Sequence, residues 1–243
     1  RDKREFATEL KFLLDPVVAD SIRAWARERL VADPNAQGFT GDTYSITSLY
    51  LDTATLDVFH RRGLHRHSKF RVRRYSDGSL FLERKLKVRG RLAKYRTPVS
   101  PAELETLADA PSLVLPSGRW FQQRVAARQL QPWCQIGYRR MARVLMSPAG
   151  PIRLTLDESI DARPARTLRF DDASPAQRVT DRVVLELKFR RDLPAPFREL
   201  VATFALNPVS FSRYRAALPL LGLAPASAQW PPPQEKLPAC QTS

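Results

Sequence analysis

The chain has 243 residues, with 40 Lys and Arg against 25 Asp and Glu and a formal net charge of +15. That excess points to a polyanionic partner: nucleic acid, an anionic membrane surface or a phosphate-rich small molecule. Two cysteines, Cys134 and Cys240, exclude a disulfide framework or a cysteine-rich zinc site, and no apolar run approaches the roughly 20 residues a spanning helix needs. A reducing, cytoplasmic setting fits this cysteine usage. The chain opens at Arg1 rather than Met with no apolar signal region behind it, which reads as a trimmed or processed piece.

In chain order, Asp15-Pro16 opens a helix, with Asp15 as cap and Pro16 in the first turn. Val18, Ile22, Trp25, Ala26 and Leu30 share its face, and Asp33-Pro34 ends it. A Gly-containing loop at 35–42 leads to a strand from Tyr44 through Ile46 and Ser48 to Tyr50. Strands follow at 68–75, 80–88 and 92–98, the first two joined by an Asp77-Gly78 hairpin turn. Ser100-Pro101-Ala102-Glu103 is a capping box opening a short helix, and a second helical stretch covers 118–130. Strands resume at 135–146, 151–157 and 182–190. Pro194 and Pro196 introduce a helix in which Phe197, Leu200, Val201 and Phe204 share a face, and a last helix covers 210–218. From Ala224 the composition is Pro-rich and reads as a disordered tail, leaving one folded unit over 1–223.

The informative pattern is the phase of the charges. Lys69, Arg71 and Arg73 alternate with Phe70 and Val72, and Glu83, Lys85 and Lys87 oppose Leu82 and Leu86. Arg153, Thr155 and Asp157 oppose Ile152, Leu154 and Leu156; Glu186 and Lys188 oppose Leu185, Leu187 and Phe189; Glu9 and Lys11 oppose Leu10 and Phe12. Side chains alternate across a strand, so each strand carries one charged and one apolar face. Two arrangements accommodate this. One is a half-exposed antiparallel sheet with its charged face in water. The other is a closed barrel whose charged face lines the interior and whose apolar face is covered by helices. The density of Arg and Lys, with single carboxylates set among them, weakens the first, because like charges side by side on one face repel unless an anion lies between them. A charged interior is costly when dry but reasonable around water, a polyphosphate and a metal ion.

An ordered series of segments resembles a known family. Glu9-Leu10-Lys11-Phe12, Ser48-Leu49-Tyr50-Leu51-Asp52-Thr53, Lys69-x-Arg71-x-Arg73-x-Tyr75 and Phe81-Leu82-Glu83-x-Lys85 are followed by Lys94-Tyr95-Arg96 and Tyr138-x-Arg140. Leu185-Glu186-x-Lys188-Phe189 and Phe211-Ser212-Arg213-Tyr214 complete the series, which covers about residues 5–215. It resembles the vacuolar transporter chaperone (VTC) catalytic domain, a branch of the triphosphate tunnel metalloenzymes, or CYTH-like superfamily. The resemblance implies an α+β fold with a closed antiparallel tunnel barrel and helices outside. It also implies a transferase that passes the γ-phosphoryl group of ATP to a growing polyphosphate chain with Mn2+ or Mg2+. On that basis Lys11, Arg71, Arg73, Lys85, Lys94 and Arg140 would be the catalytic cations. Lys69, Lys87, Arg96, Arg153, Lys188, Ser212, Arg213 and Tyr214 would bind substrate. Glu186 would be the principal metal ligand, accompanied by Glu9 and Glu83, although Glu83 could equally pair with cations across the barrel.

Two departures stand out. Ala7 occupies the first position of the Glu-x-Glu-x-Lys pattern of the wider superfamily, which disfavours the thiamine triphosphatase and adenylate cyclase branch. Arg213 replaces the usual Lys of the last motif, keeping charge but changing reach and geometry. The alternatives are a tripolyphosphatase or nucleoside triphosphatase on the same fold and a non-catalytic polyphosphate or nucleic-acid binding module. His65-Arg66-His67 has metal-like spacing but sits among cations, Trp25, Trp120 and Phe121 read as packing residues, and no P-loop motif exists.

Overall fold

The computed structural model describes residues 8–34, 41–88, 91–109, 115–190 and 192–226, the side chains at 87, 88, 91 and 92 excepted. Arg1, Ala7, most of the 35–42 loop, Cys240 and the Pro-rich segment from 227 onward lie outside the described residues, as does the Lys87 side chain.

Strand β1 (Thr8–Leu14) buries Leu10, Phe12 and Leu14 on one face and turns Glu9 and Lys11 to the other. Helix α1 (Pro16–Arg29) follows with Pro16 in its first turn. Asp15 holds the N-cap position but its side chain makes no capping bond; it lies 3.4 Å from Arg182 instead. The helix ends at Arg29, short of the expected Asp33-Pro34 stop, because the chain turns extended at Leu30 and pairs as β2 (Val31–Ala32). Then come β3 (Thr43–Asp52), α2 (Asp57–His60), β4 (Ser68–Tyr75), β5 (Leu80–Val88) and β6 (Arg91–Val99). Gly78 takes a φ of 82° in the β4–β5 turn, the left-handed conformation that favours glycine. Ser100 and Glu103 form the capping box of α3 (Pro101–Asp109): the Ser100 backbone N–H donates to the Glu103 carboxylate (2.7 Å), and the Glu103 N–H to the Ser100 hydroxyl (3.2 Å). Beyond it lie α4 (Arg119–Ala127), β7 (Gln131–Ser147), β8 (Gly150–Pro164), β9 (Gln177–Thr180), β10 (Val183–Phe189), α5 (Ala195–Thr203) and α6 (Arg213–Leu220).

All ten strands join one antiparallel sheet in the order β1-β10-β8-β7-β3-β4-β5-β6, with β2 added on β7 and β9 on β8. Among the described residues the ladder runs open from β1 to β6. The sheet is nevertheless strongly curled, since Lys85 of β5 donates to Glu9 of β1 at 3.0 Å.

The apolar face lies outward under helices. α1 and α5 cover Leu10, Phe12, Leu154, Leu185 and Phe189, while α3 and α4 cover Leu49, Leu51, Phe70, Val72 and Leu82. Burying each such side chain is worth about 1.5–3 kcal/mol, which explains why the charged rather than the apolar face turns inward. The α6 helix departs from the expectation that helices lie only outside. Beyond Tyr138 the charged face becomes apolar at Cys134, Ile136, Ile160 and Ala162, and α6 packs there through Tyr214, Ala217 and Leu218. No helix among the described residues is long and apolar enough to cross a membrane.

Candidate anion-binding site

Strand register sets the charges in rows. Lys11 sits opposite Glu186, Arg71 opposite Glu83, and Arg140 opposite Asp157. One row is different: Lys69 of β4 faces Lys85 of β5, which faces Lys94 of β6. Three lysines in direct cross-strand succession repel one another, the opposite of what sheet stability selects.

Around this row the charges gather in two groups. In the first, Lys11 lies 3.3 Å from Glu9 and 3.5 Å from Glu186, and Lys188 lies 3.7 Å and 3.0 Å from the same two carboxylates. Arg213 enters from α6, bonding Asp157 and lying 3.0 Å from Glu186, while Arg140 grips Asp157 with two bonds of 2.6 and 2.7 Å. Asp157 is wholly buried. In the second group Glu83, 1% exposed, is ringed by Arg71 (2.6 Å), Lys94 (2.5 Å), Arg73 (3.7 Å) and Arg96 (4.0 Å). Tyr138 joins the groups: its hydroxyl accepts from Arg73 at 3.1 Å, and its ring lies under Arg140 and Arg213.

Cations outnumber carboxylates here, and the acidities record it. Burial and Glu186 push the Glu9 carboxyl up, but Lys85, Lys11 and Lys188 outweigh them and leave it below the ordinary carboxylate range. Burial likewise opposes ionisation of Glu186 and Glu83, yet Lys188, Lys11 and Arg140 around one and Arg73, Arg71 and Lys94 around the other hold both well below normal. Burial lowers Lys85 to about 8 despite Glu9 beside it, with Lys11 adding to the fall. Lys69 is lowered well below its ordinary value, by burial and then by Lys11, Lys85, Arg61 and Arg215; its ammonium donates to the Ser212 hydroxyl at 2.7 Å. Burial and neighbouring Arg140 and Arg73 bring Arg213 down to about 10.

Of the expected residues, Lys11, Lys69, Arg71, Arg73, Lys85, Lys94, Arg140, Lys188 and Arg213 come together on this face with Glu9, Glu83 and Glu186. Three others are placed differently. Arg153 is tied to Asp33 (2.7 Å) and the Tyr44 hydroxyl (3.0 Å). Arg96 reaches the second group only at its edge, 4.0 Å from Glu83, and lies over the Phe81 ring at 3.4 Å. Tyr214 is buried in the α6 packing, where its hydroxyl donates to Asp52 at 2.7 Å and its ring stacks on Tyr50. Ser212 caps α6, accepting from the Arg215 N–H at 3.4 Å.

The expected metal set of Glu186, Glu83 and Glu9 does not assemble, and no group of three metal-ligating side chains forms among the described residues. Glu83 belongs to the arginines. Glu9 and Glu186 share Lys11 and Lys188. Two hard carboxylates fit magnesium or manganese when phosphate oxygens and water complete the shell. His65 and His67 contribute nothing to such a site; His67 accepts from Arg66 on the exposed surface.

Sequence reasoning missed Asp157, although its phase placed it on the charged face beside Arg153. It also missed Tyr50, whose hydroxyl accepts from Arg71 at 3.2 Å, and Arg61 and Arg215, which add charge around Lys69.

A curled antiparallel sheet enclosing a cation-rich buried face, with a carboxylate pair among the cations, defines a site for a highly charged anion. The chain belongs to the VTC domain family, whose model matches residues 6–221. No curated protein matches the sequence. Among solved structures, a Bacillus halodurans protein provisionally described as an adenylate cyclase has a TM-score of 0.55 at 13% identity, covering 86% of this chain and 95% of its own. A Hippeastrum protein, provisionally described as an adenylyl cyclase with a dominant triphosphatase activity, has a TM-score of 0.47 at 16% identity and covers 92% of each chain. The first of these likenesses is one of fold.

Proposed function

We propose that this chain is a metal-dependent polyphosphate polymerase, its sheet closing into a tunnel as a unit over 1–223, and that it acts on ATP in a cytoplasmic setting. The observation that carries the reading is the Lys69-Lys85-Lys94 row, partly exposed and set beside the buried Arg73 and Arg140. Such a row is a liability without a polyanion and an asset with one.

In the proposed reaction a terminal phosphate oxygen of the acceptor chain attacks the γ-phosphorus of ATP. The bond from that phosphorus to the β,γ-bridging oxygen breaks, and ADP leaves carrying the electron pair. The task is alignment and charge neutralisation. In this reading Arg71 and Arg73 would contact phosphate oxygens through N–H groups not given to Glu83, Ser48 and Tyr138. Arg140 would add charge while it holds Asp157, and Lys11, Lys85 and Lys94 would supply point charge. A divalent cation held by Glu9 and Glu186 would offset charge on the phosphate oxygens.

The acidities favour transfer to phosphate over hydrolysis. Glu9, Glu83 and Glu186 are held ionised at low basicity by their cationic neighbours, which makes them weak bases for activating water. An ionised phosphate acceptor needs no base.

The test is incubation with ATP and manganese, followed by a polyacrylamide gel stained for polyphosphate. A ladder of chains that disappears in Glu186→Gln supports the polymerase. Free phosphate without chains makes the protein a hydrolase, and tight tripolyphosphate binding without turnover makes it a binding module.

A further inference from the structure

A second group of arginines lies on the opposite side of the same strands. Arg84 alternates out of phase with Glu83 and Lys85, so it emerges on the apolar face of β5 beside Leu82. Its guanidinium lies 5.5 Å from the Phe70 ring centre and 6.0 Å from that of Tyr95. From the end of α4, Arg128 places its guanidinium 6.0 Å from the same Phe70 ring, and Arg124 stands one turn before it. Two guanidinium groups thus share one aromatic ring, with a third beside them.

No carboxylate among the described residues lies within ion-pairing distance of any of the three. Elsewhere outside the charged face Arg23 and Arg139 hold Glu158, Arg74 holds Asp172 and Arg178 holds Asp161. Among the described residues, the only hydrogen bond from Arg84 is to the Ser68 hydroxyl, at 2.8 Å, and the buried Arg128 Nε has no partner. The helix dipole favours cations at the C-terminal end of α4, which accounts for Arg124 and Arg128. It does not account for Arg84, a half-buried β5 residue that shares the Phe70 ring with Arg128. Burial, Arg124 and Arg128 in that order lower its pKa, so the like charges act on one another.

We infer that Arg84, Arg124 and Arg128 form an external oligophosphate-binding site, separate from the buried charged face, that engages the part of a polyphosphate chain too long to be enclosed. The inference rests on the reading of the buried face as a polyphosphate site. Planar guanidiniums packed on aromatic rings are pre-organised for paired N–H contacts to phosphate. The two sites lie back to back: Ser68 bonds Arg84 on the outer side, while its neighbour Lys69 bonds Ser212 on the inner. Arg61 stands near Lys69, continuing positive charge beyond the lysine row.

The experiment compares tripolyphosphate with a polyphosphate of about a hundred units on the full chain, by calorimetry at two salt concentrations. Two variants are used: Arg84→Gln/Arg124→Gln/Arg128→Gln, and Arg124→Gln/Arg128→Gln, which spares the packed Arg84. Tripolyphosphate affinity is expected to stay within twofold of the parent. Long-chain affinity should fall at least about tenfold, with a shallower salt dependence, since charge-assisted contacts to phosphate are lost. Equal long-chain affinity in the parent and in both variants overturns the external site. A parallel loss for tripolyphosphate in the double variant also overturns it, by showing that the two sites are one. If the parent binds neither ligand, the buried-face reading has failed instead.

Discussion

Lys85 of β5 donates to both carboxylate oxygens of Glu9 on β1, at 3.0 and 3.1 Å, although the two strands lie near opposite ends of the strand order. This ion pair bridges the seam that the backbone ladder leaves open, and it ties one lysine of the repelling row to one carboxylate of the proposed metal pair. The same ammonium that bridges the sheet is therefore a titrating member of the site.

That titration has a definite sign. Lys85 sits at about 8 in the ligand-free protein, and a bound polyanion raises it, so binding near pH 8 takes up protons. Tripolyphosphate affinity should fall as pH rises from 7 to 9, and calorimetry in buffers of different ionisation enthalpy should report net proton uptake. Stability moves the other way. A lysine whose folded pKa is below its unfolded value of about 10.4 opposes folding while charged, and the opposition is relieved as pH rises from about 8 to 10. A variant Lys85→Met should flatten both dependences.

The substitution Glu186→Gln removes a buried charge that Lys11, Lys188 and Arg213 all approach. Metal-dependent turnover should be lost. The three cations left in a more positive site predict a loss of about 3–5 kcal/mol. Because the deficit is one of negative charge, tripolyphosphate without metal should restore part of the melting temperature. A variant that melts like the parent and turns over ATP removes Glu186 from the metal pair.

Much of the fold was legible because alternation is a local signal. The β4, β5 and β6 strands, their Asp77-Gly78 turn and the Ser100-Glu103 capping box follow from neighbouring residues alone. Where the reading fell short, the cause was non-local. Strand β2 has two residues and β9 four, too few for a period to register. Tyr214 belongs to a motif associated with phosphate, yet its hydroxyl is committed to Asp52, 162 positions away. Glu83 and Glu186 share a phase pattern, and only the curl of the sheet sends them to different cation groups.

Asp52 anchors two helices at once. It is fully buried and accepts from the Val58 and Phe59 N–H groups at 2.8 and 2.9 Å as well as from the Tyr214 hydroxyl. Burial and the adjacent Asp52 push the Tyr214 phenol far up, so it remains a donor at all ordinary pH. Tyr214→Phe should cost about 1–3 kcal/mol, since it removes a bond to a charged acceptor. Asp52→Asn should cost more than that, because the amide keeps one accepting oxygen and turns an NH2 donor toward either the Phe59 or the Val58 N–H. Urea titrations of the two single variants and the double variant should show non-additive losses, since both break the same bond. Additive losses would mean that Asp52 holds α2 and leaves α6 to pack alone.

The lysine row makes a prediction that separates a binding site from a folding element. Lys69 has no carboxylate partner among the described residues and faces Lys85 across the ladder. Burial and four neighbouring cations depress its basicity, so its charge is disfavoured in the ligand-free protein. Lys69→Met keeps an unbranched apolar stem and removes the charge and the bond to Ser212. If the row exists to hold a polyanion, the ligand-free variant should match or exceed the parent in stability, by up to about 1 kcal/mol. Its tripolyphosphate affinity should meanwhile fall about tenfold. Opposite signs for stability and affinity mark a residue retained for function at the expense of the fold. A variant that loses stability and binding together would assign Lys69 to the packing of the Ser212 cap.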